Sequence, residues 1–182
     1  MQKLFSHIPN ILSFSRLCLA GLFPFVPERF WIWFILFGGA SDFLDGWIAR
    51  RWHLTSWQGG LIDAIADKLF VLSVLITFVL AGRFTGLLIP LVIVRDLTVA
   101  SIALYAAYTR EWEAFTRMKA RWSGKIATGA QFMLMVAVAL VPPYARLVLG
   151  VAVLINFAAA FDYAKEFARA LVERSKSRTG EM

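Results

Sequence analysis

The sequence predicts an all-α, polytopic membrane protein with six transmembrane helices and a short N-terminal interfacial segment. Of its 182 residues, 59% are hydrophobic and only 17% are charged, whereas soluble domains carry roughly 25% charged residues. The mean hydropathy is +0.67. This composition excludes a disordered chain, a basic nucleic-acid-binding domain and an ordinary cytosolic enzyme. A single cysteine, Cys18, also excludes a disulfide framework.

Six apolar stretches each approach the length of about 20 residues that a helix needs to cross a bilayer. The first follows an interfacial lead-in (1–7), begins at Pro9 and lacks the charged n-region and small-residue cleavage pattern of a secretory signal. The fifth ends at Pro142, and the sixth is expected to continue amphipathically through Val172. The six predicted spans are 8–26, 30–50, 61–81, 86–108, 124–141 and 144–163.

The length fits one domain, for which we predict the bounds 1–174, followed by a frayed, polar cytoplasmic tail at 175–182. The distribution of Lys and Arg predicts the orientation. With the N-terminus in the cytoplasm, 13 of the 19 basic residues lie on the cytoplasmic side and three on the outer side, while Arg16, Lys68 and Arg95 fall inside spans. Both termini are therefore expected inside, and the net charge of +7 indicates anionic lipid rather than nucleic acid.

Four aspartates at the ends of the second and third spans are costly in a membrane. Even insertion-based scales assign about 2.5 to 3.5 kcal/mol to each carboxylate at the centre of a span, so four would cost on the order of 10 kcal/mol. On a helix Asp42 and Asp45 share one face, and Asp63 and Asp67 share another. The polar link 51–58 joins two antiparallel helices, so the two acidic faces can converge near the cytoplasmic surface.

These acidic faces predict a site for hard divalent cations. All four candidate ligands are carboxylates, without histidine or thiolate, which favours Mg²⁺ or Mn²⁺. Four carboxylates can hold two ions, an arrangement suited to phosphoryl transfer. Gly46, Ala49 and Gly59 on the acidic stripe leave room for a bulky ligand, although helix packing explains each glycine taken singly. Arg50 could reach a phosphate, and Lys68 is either a snorkelling lysine or a partner of Asp67.

This acidic hairpin resembles the signature of a known protein family. From Asp42 to Asp67 the pattern D-x2-D-G-x2-A-R-x8-G-x3-D-x3-D resembles the full signature of the CDP-alcohol phosphotransferase family. The resemblance implies that Asp42, Asp45 and Asp63 bind metal, and that Asp67 binds metal and acts as general base. It further implies that a CDP-linked donor gives its substituted phosphate to an acceptor alcohol and releases CMP. Around the CDP group it places Asp42, Gly46, Ala49, Arg50, Ser56, Gly59 and Asn10.

Further segments resemble the bacterial phosphatidylglycerophosphate synthases within that family. The opening 8–16 is similar to their Pro-Asn-x-Leu-Thr-x-x-Arg, and 124–131 to their Gly-Lys-x-Lys-Thr-x-x-Gln with Ala127 in place of the second lysine. This resemblance implies two Mg²⁺ or Mn²⁺ ions, and CDP-diacylglycerol and sn-glycerol 3-phosphate as substrates. It also implies a homodimer in the bacterial inner membrane, with its active site facing the cytoplasm.

The phosphate of the acceptor is expected at a basic cluster, because Lys and Arg hold phosphate oxygens by charge-assisted hydrogen bonds. The positive-inside rule explains Arg117 and Arg121 better than phosphate binding does. Arg95 has a structural alternative, which is pairing with Asp96 or another acid. The predicted acceptor residues are Arg95, Lys125, Arg121 and Arg117.

Three alternatives to this function fit the sequence to different degrees. The same chemistry could use another acceptor, either phosphatidylglycerol, which gives cardiolipin, or inositol phosphate. Loss of a lysine charge at Ala127 weakens the assignment of glycerol 3-phosphate. A divalent-cation transporter would also carry intramembrane acids, but here they cluster at one side instead of forming a ladder through the bilayer. A structural scaffold does not account for the acids.

Overall fold

A computed structural model of the chain describes residues 8–51, 57–109 and 122–180. Within these ranges the chain is helical and contains no strand, as the fold class predicted. Short 3₁₀ turns at Phe23–Phe25, Glu28–Phe30 and Pro142–Tyr144 connect some of the helices. The helices are α1 (Ile8–Leu22), α2 (Trp31–Arg51), α3 (Trp57–Leu80), α4 (Leu88–Val92), α5 (Val94–Thr109), α6 (Trp122–Leu140) and α7 (Ala145–Gly180).

Two helix ends differ from the predicted bounds at the start of the chain. Helix α1 ends at Leu22 rather than at 26, because Pro24 enters a 3₁₀ turn and proline has no N–H for the helical ladder. Helix α3 begins at Trp57, four residues before the predicted start at 61. Residues 57–60 (Trp-Gln-Gly-Gly) therefore belong to the helix, since hydropathy marks the apolar part of a helix and not its ends.

The fourth predicted span, 86–108, is interrupted at Ile93, which separates α4 from α5. Hydrogen bonding of the helical type still passes through this point: the Ile93 N–H donates to the Ile89 carbonyl at 3.1 Å, and the Leu97 N–H donates to the Ile93 carbonyl at 3.0 Å. The interruption places Asp96 in the first turn of α5, where the helix dipole stabilises a carboxylate.

The predicted frayed tail is helical in the structure. Helix α7 runs for 36 residues from Ala145 to Gly180, so the expectation of a frayed segment from 175 onward was wrong. Between Val172 and Gly180 the sequence contains neither proline nor glycine, and its Lys, Arg and Glu residues propagate a helix well. Glycine is a common residue at helix C-termini, and the last helical residue here is Gly180.

Two helical segments are long and apolar enough to cross a membrane, Trp122–Leu140 and Pro142–Glu173, as judged by length and composition within the described ranges. Helices α2 and α3 have 21 and 24 residues, which also reaches the length of about 20 residues that a span requires. These two helices carry the charged residues of the acidic hairpin. The prediction of six spans goes beyond this finding and stays a prediction.

The chain divides into two compact units. The first comprises Met1–Gly86 and Met135–Ala145, and the second comprises Leu87–Leu134 and Arg146–Met182. The prediction of one domain over 1–174 stays a prediction beside this division.

Aromatic rings fill the core of the first unit. Phe23 is fully buried, and its ring lies 6.2 Å from those of Trp31 and Phe70 and 6.3 Å from that of Phe78. The Phe70 ring of α3 lies against α2 at Gly38, where an added Cβ would lie 2.5 Å from a carbon of that ring. The absence of a side chain at Gly38 therefore leaves room for the Phe70 ring beside the backbone of α2.

The second unit combines a small apolar contact with a buried polar network. Ile102 of α5 packs against Phe167 of α7, and the Phe167 ring meets Tyr105 edge to face at 5.9 Å between centroids. Gln131 and Asn156 are buried polar residues of the same unit. Their hydrogen bonds lead to Asp96, which pairs with Arg95, one of the predicted acceptor residues.

Candidate active site

Three of the four signature aspartates have side chains that the structure describes, and these three influence one another electrostatically. Asp42 is on α2, and Asp63 and Asp67 lie one turn apart on α3. Repulsion from Asp67 and Asp63 acts on the Asp42 carboxylate, and attraction to Arg16 and Lys68 opposes it. The two acidic faces therefore act on each other electrostatically through these three residues.

Arg16 on α1 contacts two of these aspartates, Asp42 and Asp63. Its side chain is fully buried, and its Nη1 lies 2.9 Å from Oδ1 of Asp63 and 3.4 Å from Oδ1 of Asp42. The buried Ser13 hydroxyl donates to the same Asp63 oxygen at 3.1 Å. A charge inside a predicted span is costly, and that signal could have pointed to Arg16, for which we predicted no role.

Asp67 forms a separate ion pair. Its Oδ2 lies 3.0 Å from Nζ of Lys68, and the Asp67 side chain is 21% exposed. Of the two interpretations of Lys68, the pairing with Asp67 is the one observed. The neighbouring cation offsets part of the repulsion between Asp67 and the other carboxylates.

Carboxylate oxygens are the donors that Mg²⁺ and Mn²⁺ prefer, so the donor chemistry of Asp42, Asp63 and Asp67 fits a hard divalent cation. Among the side chains that the structure describes, no three acidic, imidazole or thiol groups form a set that could hold a metal ion. The fourth predicted ligand, Asp45, lies outside them. Arg16 and Ser13 engage an oxygen of Asp63 in the arrangement seen.

Several other predicted residues also fall outside the described part of the chain, so their placement is not given. Ser56, Arg117 and Arg121 lie in segments that the structure does not describe, and the remaining residues have undescribed side chains on described helices. These remaining residues are Asn10, Gly46, Ala49, Arg50 and Gly59.

Arg95 in the second unit is held by two neighbours. Its Nη1 lies 2.7 Å from Oδ1 of Asp96, and its Nη2 donates to the Tyr163 hydroxyl at 3.4 Å. The guanidinium also lies 5.1 Å from the centroid of the Tyr163 ring, a distance suited to a cation–π contact. The structural alternative for Arg95, pairing with Asp96, is therefore present, and it fixes the guanidinium in one orientation.

The start of α6 lies against the ends of the Arg95 and Tyr163 side chains. A Cβ at Gly124 would lie 2.5 Å from the Tyr163 hydroxyl and 2.6 Å from Nη2 of Arg95, so any larger residue would displace the ends of these two side chains. The next residue, Lys125, is exposed, with Nζ 4.8 Å from the centroid of the Trp122 ring. The arrangement brings Arg95 to the glycine that precedes Lys125, and both basic residues were predicted for the acceptor phosphate.

Two buried amides support Asp96, and no functional role was predicted for either. Nε2 of Gln131 lies 2.8 Å from Oδ2 of Asp96, 3.1 Å from Oδ1 of Asn156 and 3.1 Å from the Val92 carbonyl. An amide nitrogen has two hydrogens, so three acceptors share them. Asn156 in turn donates to the Ala152 carbonyl at 2.9 Å. An amide within the apolar sixth span is a signal that could have identified Asn156.

The chain is similar to a known protein family and to several individual proteins. A family model described as CDP-alcohol phosphatidyltransferase matches residues 6–160. A Haemophilus influenzae protein named CDP-diacylglycerol–glycerol-3-phosphate 3-phosphatidyltransferase is 30% identical over 138 residues, which cover 70% of this chain and 72% of that protein. A Mycoplasma genitalium protein of the same name is 39% identical over 93 residues, which cover 51% of this chain.

A second activity also occurs among the similar proteins. A Streptomyces coelicolor protein named cardiolipin synthase (CMP-forming) is 37% identical over 110 residues, which cover 48% of this chain and 51% of that protein. The chain spans only 37% of the length of the Mycoplasma protein, and about half of the length of several other curated relatives. Among the Haemophilus, Mycoplasma and Streptomyces proteins, the aligned segment therefore covers the largest share of the Haemophilus protein.

Proposed function

Because this chain belongs to the CDP-alcohol phosphatidyltransferase family, we propose that it transfers the phosphatidyl group of CDP-diacylglycerol to sn-glycerol 3-phosphate. The products are phosphatidylglycerophosphate and CMP. The observation that carries the proposal is the shared contact of Asp42 and Asp63, on two different helices, with Arg16. Asp67 also repels Asp42, and all three aspartates stand at the spacing of the family signature. The names of the Haemophilus and Mycoplasma relatives support the choice of acceptor.

Asp67 is the general base of the proposed reaction. It accepts the proton of the acceptor hydroxyl, whose oxygen attacks the phosphorus that carries diacylglycerol. A new P–O bond to the acceptor forms, and the P–O bond to CMP breaks. The ion pair with Lys68 holds the Asp67 carboxylate in place for this transfer, and such positioning supplies much of the rate acceleration.

Two divalent cations, Mg²⁺ or Mn²⁺, are the proposed cofactors, with Asp42, Asp45, Asp63 and Asp67 as ligands. Ions bound there would neutralise the charge of the diphosphate and of the departing CMP. The CDP group is proposed to lie along the small residues of the same hairpin. Its proposed contacts are Asp42, Gly46, Ala49, Arg50, Ser56, Gly59 and Asn10.

The phosphate of glycerol 3-phosphate is proposed to bind at Arg95 and Lys125, together with Arg121 and Arg117. The contacts of Arg95 with Asp96 and Tyr163 support this role, because a guanidinium that is already oriented loses less entropy on binding an anion. Exposed Lys125 can supply a mobile second charge.

The proposed enzyme is a multi-pass protein of the bacterial inner membrane, with six spans, cytoplasmic termini and a cytoplasmic active site. Two apolar helices of sufficient length and the excess of basic residues on one side support this topology. A homodimer is proposed from the family resemblance.

The direct test is an assay of the purified full chain with CDP-diacylglycerol and Mn²⁺ or Mg²⁺. Glycerol 3-phosphate is added as acceptor, and CMP and the phospholipid product are measured. We expect phosphatidylglycerophosphate and CMP in equal amounts, and loss of both when the cations are chelated. Metal flux into sealed vesicles without CMP release would instead identify a transporter.

Cardiolipin synthesis is the second candidate, because the Streptomyces relative is named cardiolipin synthase. In addition, Ala127 stands where the phosphatidylglycerophosphate synthases usually have a lysine. Parallel reactions with phosphatidylglycerol and with inositol phosphate separate the acceptors. Formation of cardiolipin, without phosphatidylglycerophosphate, would replace the proposed acceptor while retaining the family chemistry.

A further inference from the structure

Arg16 places one positive charge between two of the proposed cation ligands. Its side chain is fully buried, and its Nη1 lies within 3.4 Å of both Asp42 and Asp63. We propose that Arg16 is a positioning residue and an internal counter-charge of the acidic hairpin. It holds the carboxylates together before ions bind, and it lowers the affinity of the site for divalent cations. This inference rests on the proposed function, because it takes the aspartates as cation ligands.

The charges of the described side chains carry the first part of the inference. Asp67 and Asp63 both repel Asp42, and Arg16 and Lys68 attract it. Without a cation, carboxylates so close together push their helices apart unless a positive group lies among them. A fully buried guanidinium also requires carboxylate partners, since an unpaired buried charge is strongly destabilising. Arg16 and the acidic pair therefore stabilise each other in the metal-free protein.

The geometry carries the second part. Arg16 lies on α1, Asp42 on α2 and Asp63 on α3, so one nitrogen connects three helices. The contacts of Ser13 and Arg16 with Asp63 are both made to Oδ1. They orient the carboxylate through that atom. The Asp63 side chain is 36% exposed, so a cation can approach this carboxylate while Arg16 keeps its place.

The third part concerns affinity. A guanidinium near the carboxylates repels any divalent cation that approaches them, since like charges at short range oppose each other in a protein interior. Removing the charge of Arg16 should therefore tighten cation binding while weakening the metal-free fold. A residue that only packs the helices would lower stability without tightening the binding of cations.

The test uses the purified full chain in detergent with MnCl₂ alone as probe. Unbound Mn²⁺ is measured by electron paramagnetic resonance, and the thermal midpoint is measured with chelator and with Mn²⁺. For Arg16→Gln we expect a Mn²⁺ dissociation constant about threefold to tenfold lower than that of the wild type. We also expect a lower midpoint in chelator and a larger rise in the midpoint on adding Mn²⁺.

Ser13→Ala is the matched control, because it removes a hydrogen bond to the same Asp63 oxygen without changing the charge. Its Mn²⁺ affinity should stay within about twofold of the wild type. Arg16→Lys retains the charge and should likewise bind Mn²⁺ with nearly the wild-type affinity. Unchanged or weaker Mn²⁺ binding by folded Arg16→Gln would overturn the inference.

The remaining outcomes are also decisive. If Arg16→Gln folds only with Mn²⁺ present, the counter-charge role is supported. If it folds under neither condition, Arg16→Lys decides, and a change of about tenfold or more in its Mn²⁺ affinity overturns the inference. Failure of the wild type to bind Mn²⁺ would remove the cation site and the proposed function with it. Wild-type binding with no effect of Arg16→Gln would remove this inference alone.

Discussion

Single charged side chains decide most of the chemistry proposed for this protein. The sequence alone identifies the acidic residues, because four aspartates at one end of two apolar segments have no structural reason to be there. The sequence does not identify the partners of these aspartates. Arg16 is visible in the sequence as a charge inside a span, but its contacts with Asp42 and Asp63 join residues far apart in the chain. No local pattern reports such a pairing.

Asp67→Asn tests the proposed general base. The substitution preserves the size of the side chain and removes its ability to accept a proton, so transfer should fall by at least about 10²-fold to 10⁴-fold. Release of CMP in the glycerol 3-phosphate assay measures the effect, and the amount of protein in the membrane should not change. Glu28→Gln, which alters an exposed carboxylate paired with Arg83, is the control. Normal turnover by Asp67→Asn would exclude its role as base.

At the scale of helices, a glycine can leave room for a side chain of a neighbouring helix. Gly38 allows the Phe70 ring to lie against α2, whereas Gly21 on α1 has nothing within 4 Å of an added Cβ. The sequence does not distinguish these two glycines, because the distinction depends on the neighbouring helix. Their positions yield a matched pair of tests.

Gly38→Ala should destabilise the first unit by about 1–3 kcal/mol, because Phe70 is buried and its ring cannot yield without disturbing the aromatic core. Gly21→Ala should be neutral or stabilise by up to about 1 kcal/mol, since alanine favours a helix. The thermal midpoints of both variants in the same detergent measure the difference. Equal midpoints would contradict the tight contact between the Phe70 ring and Gly38.

A second matched pair lies on α6. Gly124→Ala would force Arg95 and Tyr163 away from the helix, whereas Gly129 has nothing within 4 Å of an added Cβ. If Arg95 binds the acceptor phosphate, Gly124→Ala should raise the KM for glycerol 3-phosphate about tenfold, as loss of one charge-assisted hydrogen bond would. The KM for CDP-diacylglycerol should change little. Gly129→Ala should retain both values, and an unchanged acceptor KM in Gly124→Ala would argue against the role of Arg95.

Helix positions were easier to predict from the sequence than helix ends. Apolar stretches gave the helices to within a few residues, as for α2 at Trp31–Arg51 against 30–50. The errors arose where hydropathy and helix formation differ. Residues of low hydropathy extend α3 at its start and α7 at its end. In α7 they include Lys, Arg and Glu, which are compatible with a helix although they do not enter lipid.

For the whole molecule, the proposed topology can be tested by labelling. After replacement of Cys18 by serine, cysteine is introduced at Arg83, which is predicted outside, or at Glu173, which is predicted in the cytoplasm. We expect a membrane-impermeant maleimide to label Arg83→Cys in intact cells, and Glu173→Cys only after the membrane is opened. This pattern follows from the excess of basic residues on the cytoplasmic side. Labelling of Glu173→Cys in intact cells would reverse the proposed orientation.

By itself the sequence determined the helical class, the approximate helices, the acidic signature and the family. Each depends on composition or on short-range spacing, which act within one segment of chain. Only the tertiary structure decided that Arg16 pairs with Asp42 and Asp63, that Gln131 and Asn156 support Asp96, and that Gly124 lies under Arg95. These contacts depend on how separate helices pack, and the spacing of residues along one helix does not specify its neighbour.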